Sequence, residues 1–393
     1  MTIKNNLASV AIARCKEYNS EDVEKAVKKC IDLLGGASSF IKNGDKVLLK
    51  PNMFRPSTTG TTHPSVVRAI AEIFLDAGAK IYLTDSPMMH SLEEVARTNG
   101  IEKICKDLKI EMTPIGTVKK NLVEKPKRSK VFFLPTLLDE IDLIINIPKI
   151  KAHPLTIFSG SVKNIFGLCA GLTKSQFHLK FKRRQDFCQM LLDLYSTICP
   201  GLTIMDAVNG VDSKGSVKKV GAILGSKDAI ALDATACRII GIPPDIVMTT
   251  KFGSERKLGV MEKENIQTIG DPLPIPSLND FEFEVNRHEV ISSISISLFD
   301  SFFLKNNIGK PKITKKCEKC GLCANVCPKN AITLKGKIAQ IDPSRCIRCY
   351  CCQEICPNEA VVIKEANSAF RLFTTCMQNI VLKMRSFESR RRQ

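Results

Sequence analysis

Tryptophan is absent from the 393 residues, and only four tyrosines and five histidines occur. Platforms on which single-stranded bases would stack are therefore scarce. No stretch approaches the roughly twenty consecutive apolar residues of a membrane-spanning helix. The amino terminus, MTIKNNLASVAIARCKEYNSED, has no uninterrupted apolar run before charged residues resume, so no secretory signal is expected. The phosphate loop GxxxxGK(S/T), the dinucleotide turn GxGxxG, the GxSxG elbow, the HExxH pair and an isolated CxxxCxxC are all missing. Their absence argues against nucleotide or nicotinamide binding and against hydrolase, zincin and radical-SAM chemistry. A soluble, cytoplasmic protein without a transmembrane segment is the expectation.

Positive charge is abundant. Lysine and arginine number 58 against 40 acidic residues, a formal net charge of +18. The basic residues are dispersed, with local concentrations at Lys119 to Lys130, Lys180 to Arg184 and Arg390 to Arg392. With so few stacking residues, nucleic acid is the less economical partner. A solvated basic surface that attracts acidic proteins or anionic small molecules explains the charge better.

There are 17 cysteines, and eight of them form two copies of CxxCxxCxxxCP. The first copy is Cys317, Cys320, Cys323, Cys327 and Pro328; the second is Cys346, Cys349, Cys352, Cys356 and Pro357. A cubane [4Fe-4S] cluster takes three thiolates from one tight loop and a fourth from farther away, and in two-cluster ferredoxins that fourth cysteine serves the other cluster. The spacing therefore assigns cluster one to Cys317, Cys320, Cys323 and Cys356, and cluster two to Cys346, Cys349, Cys352 and Cys327. Zinc sites usually join CxxC pairs across a long gap, and disulfides suit an oxidising compartment, so neither fits as well. Cys351 is out of register with the triplets and is excluded as a ligand. Cys15, Cys30, Cys105, Cys169, Cys188, Cys199, Cys237 and Cys376 stand singly and read as reduced thiols, mostly in a core.

A chain this long holds two or three domains. Lys46 to Leu49 reads as a buried strand, followed by a helix that starts at Pro64, runs through Val66, Ile70, Ile73 and Phe74, and closes at Gly78. Lys80 to Thr84 completes a right-handed βαβ unit. Further strands are expected at Lys130 to Leu134, Leu143 to Ile147, Leu202 to Met205 and Val220 to Leu224, with a helix over Asp228 to Ile240. The fold class is α/β, a mostly parallel sheet with flanking helices, plus a small α+β two-cluster ferredoxin-like domain. The α/β domain takes residues 1–304, with one more strand at Ile291 to Leu298. A polar linker covers 305–314, the ferredoxin-like domain 315–365, and a basic amphipathic tail 366–393. In that tail Phe370, Phe373, Met377, Ile380, Val381, Met384 and Phe387 share a helical face. Such a stripe packs on its own protein, docks on a partner, or rests on an anionic membrane surface.

Ligands of open α/β sheets bind beyond the carboxyl ends of the strands. The residues there are Lys50, Asn52, Asp85, Ser86, Asn146, Lys149, Lys151, His153, Asp206 and Asn209. Lys50, Lys149 and Lys151 would neutralise carboxylate or phosphate, and a desolvated lysine can act as acid or base. His153 is a candidate proton donor, and Asp85 or Asp206 would orient it or hold a divalent metal. Gly160, Gly167 and Gly171 surround Lys163 and Asn164, a segment able to line an anion nest. Water-exposed strand ends are polar for ordinary reasons too; the case rests on their coincidence.

Several of these segments, KPN at Lys50 to Asn52, TTHP at Thr61 to Pro64, NIPKIKAH at Asn146 to His153, SVKNIFG at Ser161 to Gly167, DAVNG at Asp206 to Gly210 and SKDAIALDA at Ser226 to Ala234, resemble the DUF362 family. That family has no settled activity, and the resemblance implies a carboxy-terminal two-cluster ferredoxin domain joined to it. Where a glycine- and proline-rich loop would follow DAVNG, this chain has Val211, Asp212, Ser213, Lys214 and Gly215.

The reading is an iron-sulfur oxidoreductase. Two [4Fe-4S] clusters relay electrons from a soluble redox partner to an anionic substrate or cofactor, with Lys149, Lys151 and His153 catalytic and Lys50, Asn52, Asp85, Asn146, Lys163, Asn164 and Asp206 binding. The alternative is a non-enzymatic electron-transfer or assembly subunit docked on an oxidoreductase.

Overall fold

The computed structural model describes residues 7–87, 90–181, 183–273, 278, 280–283 and 310–364. They fall into two compact units, one of residues 1–284 with 325–329, the other of the remaining carboxy-terminal residues. Ile291 to Leu298, the first half of the expected linker and the amphipathic tail lie outside the described residues.

The larger unit is organised by a sheet of ten strands. Its main path runs β12 (Ile266–Gly270), β1 (Ala8–Arg14), β11 (Val217–Ser226), β10 (Leu202–Val211), β7 (Leu143–Ile147), β2 (Lys46–Pro51), β3 (Lys80–Leu83) and β4 (Glu111–Met112). Every pairing on this path is parallel except those of β11, which runs against both β1 and β10. A strand pair, β8 (Lys149–His153) with β9 (Ile157–Ser159), joins the sheet through β8 and β10. The mostly parallel α/β expectation therefore holds.

Local chemistry explains the elements. Pro64 opens the helix Pro64–Asp76, whose first turn is capped by the His63 side chain. Its Val66, Val67, Ile70 and Phe74 are buried, and Gly78 ends it at φ +91°. Asn19 caps the helix Ser20–Leu33, accepting from the Asp22 amide. That helix buries Val23, Val27, Cys30 and Ile31 at helical spacing. Val47, Leu48 and Leu49 of β2 are buried in succession, so both faces of this strand are dry. Val47, Leu49, Ile81, Ile145, Ile147 and Ile204 form one face of the core with the helices Ser20–Leu33 and Pro64–Asp76.

Four expectations need correction. The strand expected at Lys130 to Leu134 is β6 (Val131–Pro135), and it leaves the main sheet to form a separate antiparallel pair with β5 (Val118–Leu122). A neighbour only a few residues back closes at small entropic cost, and it won over the distant sheet edge. The strand at Val220 to Leu224 is antiparallel, because DAVNG is no loop: β10 runs through it to Val211 and turns directly into β11. Asp212 closes that hairpin by accepting from the amides of Lys214 and Ser216 at 2.9 and 2.8 Å. Lys149 to His153 is a strand, so Lys149, Lys151 and His153 are alternate residues of one element. Finally, Lys310 to Ile313 is not linker. It is β13 (Lys310–Ile313), paired antiparallel with β16 (Val361–Lys364), with Pro311 and Ile313 buried and Lys310 and Lys312 exposed. Pro311 fits because an edge strand needs no donor there. β1 had no counterpart in the sequence reading.

Ile145 is fully buried at the centre of β7. Truncation to Ala is expected to cost about 2–5 kcal/mol, read as a lower denaturant midpoint for the larger unit.

Candidate functional site

Two buried ion pairs lie at the carboxyl ends of the parallel strands. Lys50, the fifth residue of β2, is 1% exposed. Its Nζ sits 3.0 Å from Asp85 Oδ1 and donates to the Pro51 carbonyl at 2.7 Å. Asp85, just past β3, is held by the amides of Met53 and Ser86 at 2.7 and 2.8 Å. Burial pulls the Lys50 pKa down and Asp85 opposes that pull. Gly167 closes over the pair, since a Cβ there would stand 2.0 Å from Asp85 Oδ1 and 2.6 Å from Lys50 Nζ.

Lys149 and Asp206 form the second pair, 2.9 Å apart and 4% and 0% exposed. Tyr18, just ahead of the helix Ser20–Leu33, donates to Asp206 Oδ1 at 2.7 Å, is hydrogen-bonded to Lys149 Nζ, and accepts from the Asn209 amide at 3.2 Å. His63 stacks on the Tyr18 ring with centroids 3.8 Å apart, and its amide donates to Asp206 Oδ2 at 2.9 Å. Burial, then Asp206, push the Tyr18 phenol far above its ordinary range; burial lowers Lys149 against the pull of Asp206. The pair therefore joins four parts of the chain.

The glycine segment does make an anion nest, and the chain fills it. The amides of Ser161 and Val162 donate to Asp233 at 2.6 and 3.2 Å, and a Cβ at Gly160 would meet Asp233 Oδ1 at 2.3 Å. Burial raises the Asp233 pKa to about 6 against those hydrogen bonds. Asn146 and Asn164 are cross-links. Asn146 donates to the Ser161 carbonyl at 2.9 Å, and Asn164 donates to Asn146 Oδ1 at 2.8 Å and to the Lys50 carbonyl at 3.0 Å. Asn52 is tied to Thr62 through two backbone contacts, its amide donating to Thr62 Oγ1 at 2.8 Å and its carbonyl accepting from the Thr62 amide at 3.0 Å.

His153 also turns inward. Its Nδ1 accepts from the amides of Leu155 and Thr156 at 3.0 and 3.1 Å, which fixes the turn between β8 and β9 and leaves the ring proton on Nε2. Lys151 is half-buried, with its Nζ 3.8 Å from the centroid of the Phe54 ring. Lys163 is half-buried as well.

Lys174 had no place in the sequence reading. It is 6% exposed, and its Nζ donates to the Ser86 carbonyl. Burial brings its pKa down to about 8; Asp85 opposes the shift, and Lys50 and Lys163 add to it. Lys174 thus feels both members of the Lys50–Asp85 pair and Lys163 as well. Tyr18 was missed too, because nothing near it in sequence marks a residue whose partners lie 131 and 188 positions away. Asp233 could have been found within SKDAIALDA, where it is a carboxylate on the apolar face of a helix.

In the second unit a cavity is lined by Cys317, Cys320, Cys323 and Cys356 with Ile313, Leu334 and Val361. Three cysteines come from the first copy of the repeat and the fourth from the end of the second, the set that the spacing predicted. Burial, followed by Cys356, Cys317 and Cys320, pushes the Cys323 thiol up to about 11. Crowded thiols of this kind lose their protons readily only to a metal. Among the described residues no three such side chains converge to hold a single metal ion. Four cysteines lining one cavity are the donor set a cubane takes, one at each iron corner. Cys317 Sγ accepts from the Lys319 amide at 3.4 Å and Cys356 Sγ from the Ala360 amide at 3.2 Å.

The two copies repeat in backbone as well as in cysteines. Left-handed residues Lys319, Gly321 and Asn330 recur 29 positions later at Arg348, Tyr350 and Glu359. Cys346 and Cys349 are half-buried, Cys352 is buried, and Cys327, also half-buried, falls in the 325–329 stretch. Cys351 is buried and occupies the place of Leu322 in the first copy, consistent with a core role.

Removing one charge of a buried pair leaves the other unmatched. Asp206→Asn is expected to destabilise the larger unit by about 3–5 kcal/mol in chemical denaturation, whereas the double variant Lys149→Met, Asp206→Leu loses less than either single change.

A family model for a domain of unknown function, DUF362, matches residues 47–238, and one for a 4Fe-4S dicluster domain matches residues 316–360. A thylakoid-associated protein of Synechocystis sp. is 30% identical over 260 residues, which cover 64% of this chain and 80% of that protein. Among solved structures, the lactate racemase apoprotein from Thermoanaerobacterium thermosaccharolyticum is 15% identical with a TM-score of 0.40, over 60% of this chain and 58% of that one. A Thermotoga maritima protein is 13% identical with a TM-score of 0.39, over 56% and 58%. The chain spans less than two thirds of either solved structure. No helix among the described residues is long and apolar enough to cross a membrane. With the family's motifs built into the sheet ends and a ferredoxin-type segment following them in sequence, the chain belongs to the DUF362 family and carries a carboxy-terminal 4Fe-4S domain of the electron-transfer kind.

Proposed function

We propose that this chain is an iron-sulfur oxidoreductase. Cys317, Cys320, Cys323 and Cys356 would hold one [4Fe-4S] cluster and Cys346, Cys349, Cys352 and Cys327 a second, and these would supply one-electron transfer between a redox partner protein and the DUF362 domain. There an anionic small molecule or cofactor exchanges electrons. The observation that carries the reading is the cavity that gathers the first four cysteines across the repeat. When bound, the clusters supply one-electron chemistry at potentials set by hydrogen bonds to sulfur and by exposure. The chain's own contribution includes the Lys319 and Ala360 amides, which donate to ligand sulfurs and stabilise negative charge there.

A buried lysine, Lys174, beside the Lys50–Asp85 pair supports an anionic ligand. Among the described residues no carboxylate lies within ion-pair distance of Lys174, and a desolvated cation favours an anion beside it. Lys50 and Asn164 hold the floor of this region and Lys163 adds charge. Lys149 with Tyr18 forms a hydrogen-bonded path on which a proton can move, anchored by Asp206; Lys151 extends beside it over Phe54. His153 positions the β8–β9 turn.

A second reading, a non-enzymatic electron-transfer or assembly subunit, is favoured by one observation: Lys50 and Lys149 are already neutralised internally and buried. Identification of what copurifies anaerobically separates the two. A small anion retained by the parent and lost on Lys174→Met supports the enzyme, whereas a bound oxidoreductase with no small molecule supports the subunit.

Anaerobically reconstituted protein is expected to hold about eight irons and eight sulfides, the sum of two cubanes. Cys356→Ser lowers that count and Cys351→Ser leaves it unchanged; a zinc-loaded chain without sulfide sinks the proposal.

The Lys174 folded-state pKa of about 8 lies below its ordinary value of 10.5, so the unfolded chain binds more protons between those values. Stability from this group therefore rises as pH increases from about 8 to about 10.5, and the cost of charging it is fully present below 8. Lys174→Met is expected to be more stable than the parent at pH 7, with the gap closing toward pH 10.5. Binding of the copurifying anion should weaken as pH rises through about 8 in the parent, measured by calorimetry.

A further inference from the structure

One edge of the first cysteine cavity is open; Lys319 lines it, and further lysines flank the lining segments in sequence. Cys320 is exposed, whereas Cys323 and Cys356 are buried, so a cluster on these ligands faces solvent on the Cys320 side. The turn between β14 (Ile332–Thr333) and β15 (Gln340–Ile341) lies against that side. Lys319 Nζ donates to the Gly336 carbonyl at 3.0 Å, and Leu334 Cδ1 would stand 3.6 Å from a Cβ at Gly321. Lys335 and Lys337 flank Gly336, and Lys315 and Lys316 precede Cys317. These five lysines are all exposed; Glu318 is the acidic residue among them. Leu334, 40% exposed, lines the cavity itself.

We propose that this lysine-bearing edge is the docking face for an acidic protein electron carrier, and that the Cys317, Cys320, Cys323 and Cys356 centre is where electrons enter. The inference rests on the proposed clusters and adds the partner's charge and the place of entry. Several like charges around an exposed redox edge attract a carrier whose own redox centre is ringed by carboxylates, and they orient it in the encounter. Leu334 supplies the small apolar contact that excludes water between two redox centres once the charges have met. One electron leaves the reduced carrier and arrives at the centre held by the four cysteines. The carrier is oxidised by one electron, the centre is reduced by one, and no bond or proton is exchanged. Nucleic acid suits the face less well, because no exposed aromatic residue stands among the lysines for bases to stack on. A membrane surface would ask for more apolar area than one leucine.

The test uses the full, cluster-loaded chain and an acidic [2Fe-2S] ferredoxin as probe, with a basic cytochrome of similar size as control. Lys316→Glu, Lys335→Glu and Lys337→Glu are combined, and Lys319 is kept because its ammonium anchors Gly336. The expected result is measurable binding of the ferredoxin at low salt, weakened by added salt. In the triple variant Kd rises at least about tenfold, with no gain for the ferredoxin and a gain for the cytochrome. Reduction by dithionite stays at the parental extent. Iron and sulfide counts on the same preparations report on the clusters independently of docking, so loss of iron in the parent counts against the proposed function and not against the face. Where the triple variant loses iron, the single Lys335→Glu and Lys337→Glu variants, outside the cysteine loops, carry the test. Ferredoxin affinity unchanged by the substitutions overturns the inference. So does a parent that ignores the ferredoxin yet binds phosphatidylserine vesicles or single-stranded DNA through the same lysines.

Discussion

A carboxylate that leaves water must bring its counter-charge with it, and the larger unit is arranged around that requirement. Asp206 is fully buried in β10 and accepts from Lys149, Tyr18 and the His63 amide. Those partners come from β8, from the approach to the helix Ser20–Leu33 and from the start of the helix Pro64–Asp76. Desolvating either charge alone costs several kcal/mol, so the four segments are held to one register. Asp85 does the same for β2 and β3 through Lys50 and the Met53 amide. Asp233 ties the segment after β9 to the helix Ala229–Ile239. Three carboxylates thus close the carboxyl end of the sheet from inside.

This arrangement changes the meaning of a polar strand end. Residues that look like ligands for an anion from outside, Lys50 and Lys149 above all, spend their charge within the fold. What differs is Lys174, buried beside the Lys50–Asp85 pair, for which no carboxylate among the described residues lies within ion-pair distance. A neutral, satisfied pair gives rigidity, whereas an unmatched buried cation gives binding potential.

The ferredoxin-type unit follows a different rule. Its loops are short and their conformation is dictated by neighbours in sequence, so a repeat of cysteines brings with it a repeat of left-handed residues. Gly321 takes a positive φ without strain, and Tyr350 takes the same place in the second copy at φ +61°. A buried tyrosine accepts that backbone cost because the loop geometry around it is over-determined.

Much of the protein was legible from its residues. The cysteine spacing foretold which four side chains line one cavity, and hydrophobic periodicity foretold β2, β7 and the helix between β2 and β3. These are local patterns, fixed by strand and helix geometry within a few residues. Strand direction at β11, the departure of β6 from the sheet and the strand character of Lys310 to Ile313 were not legible, because pairing is a contest between distant edges. Nor was the partner of any buried charge. The amino-acid sequence by itself determined the cluster motif, the repeat and the alternation of α and β. Only the tertiary structure decided that Lys149 belongs to Asp206, 57 residues on, and that Tyr18 belongs to both. The reason is physical: a thiolate loop needs only its own backbone, whereas a buried ion needs whichever counter-charge the folded sheet carries to it.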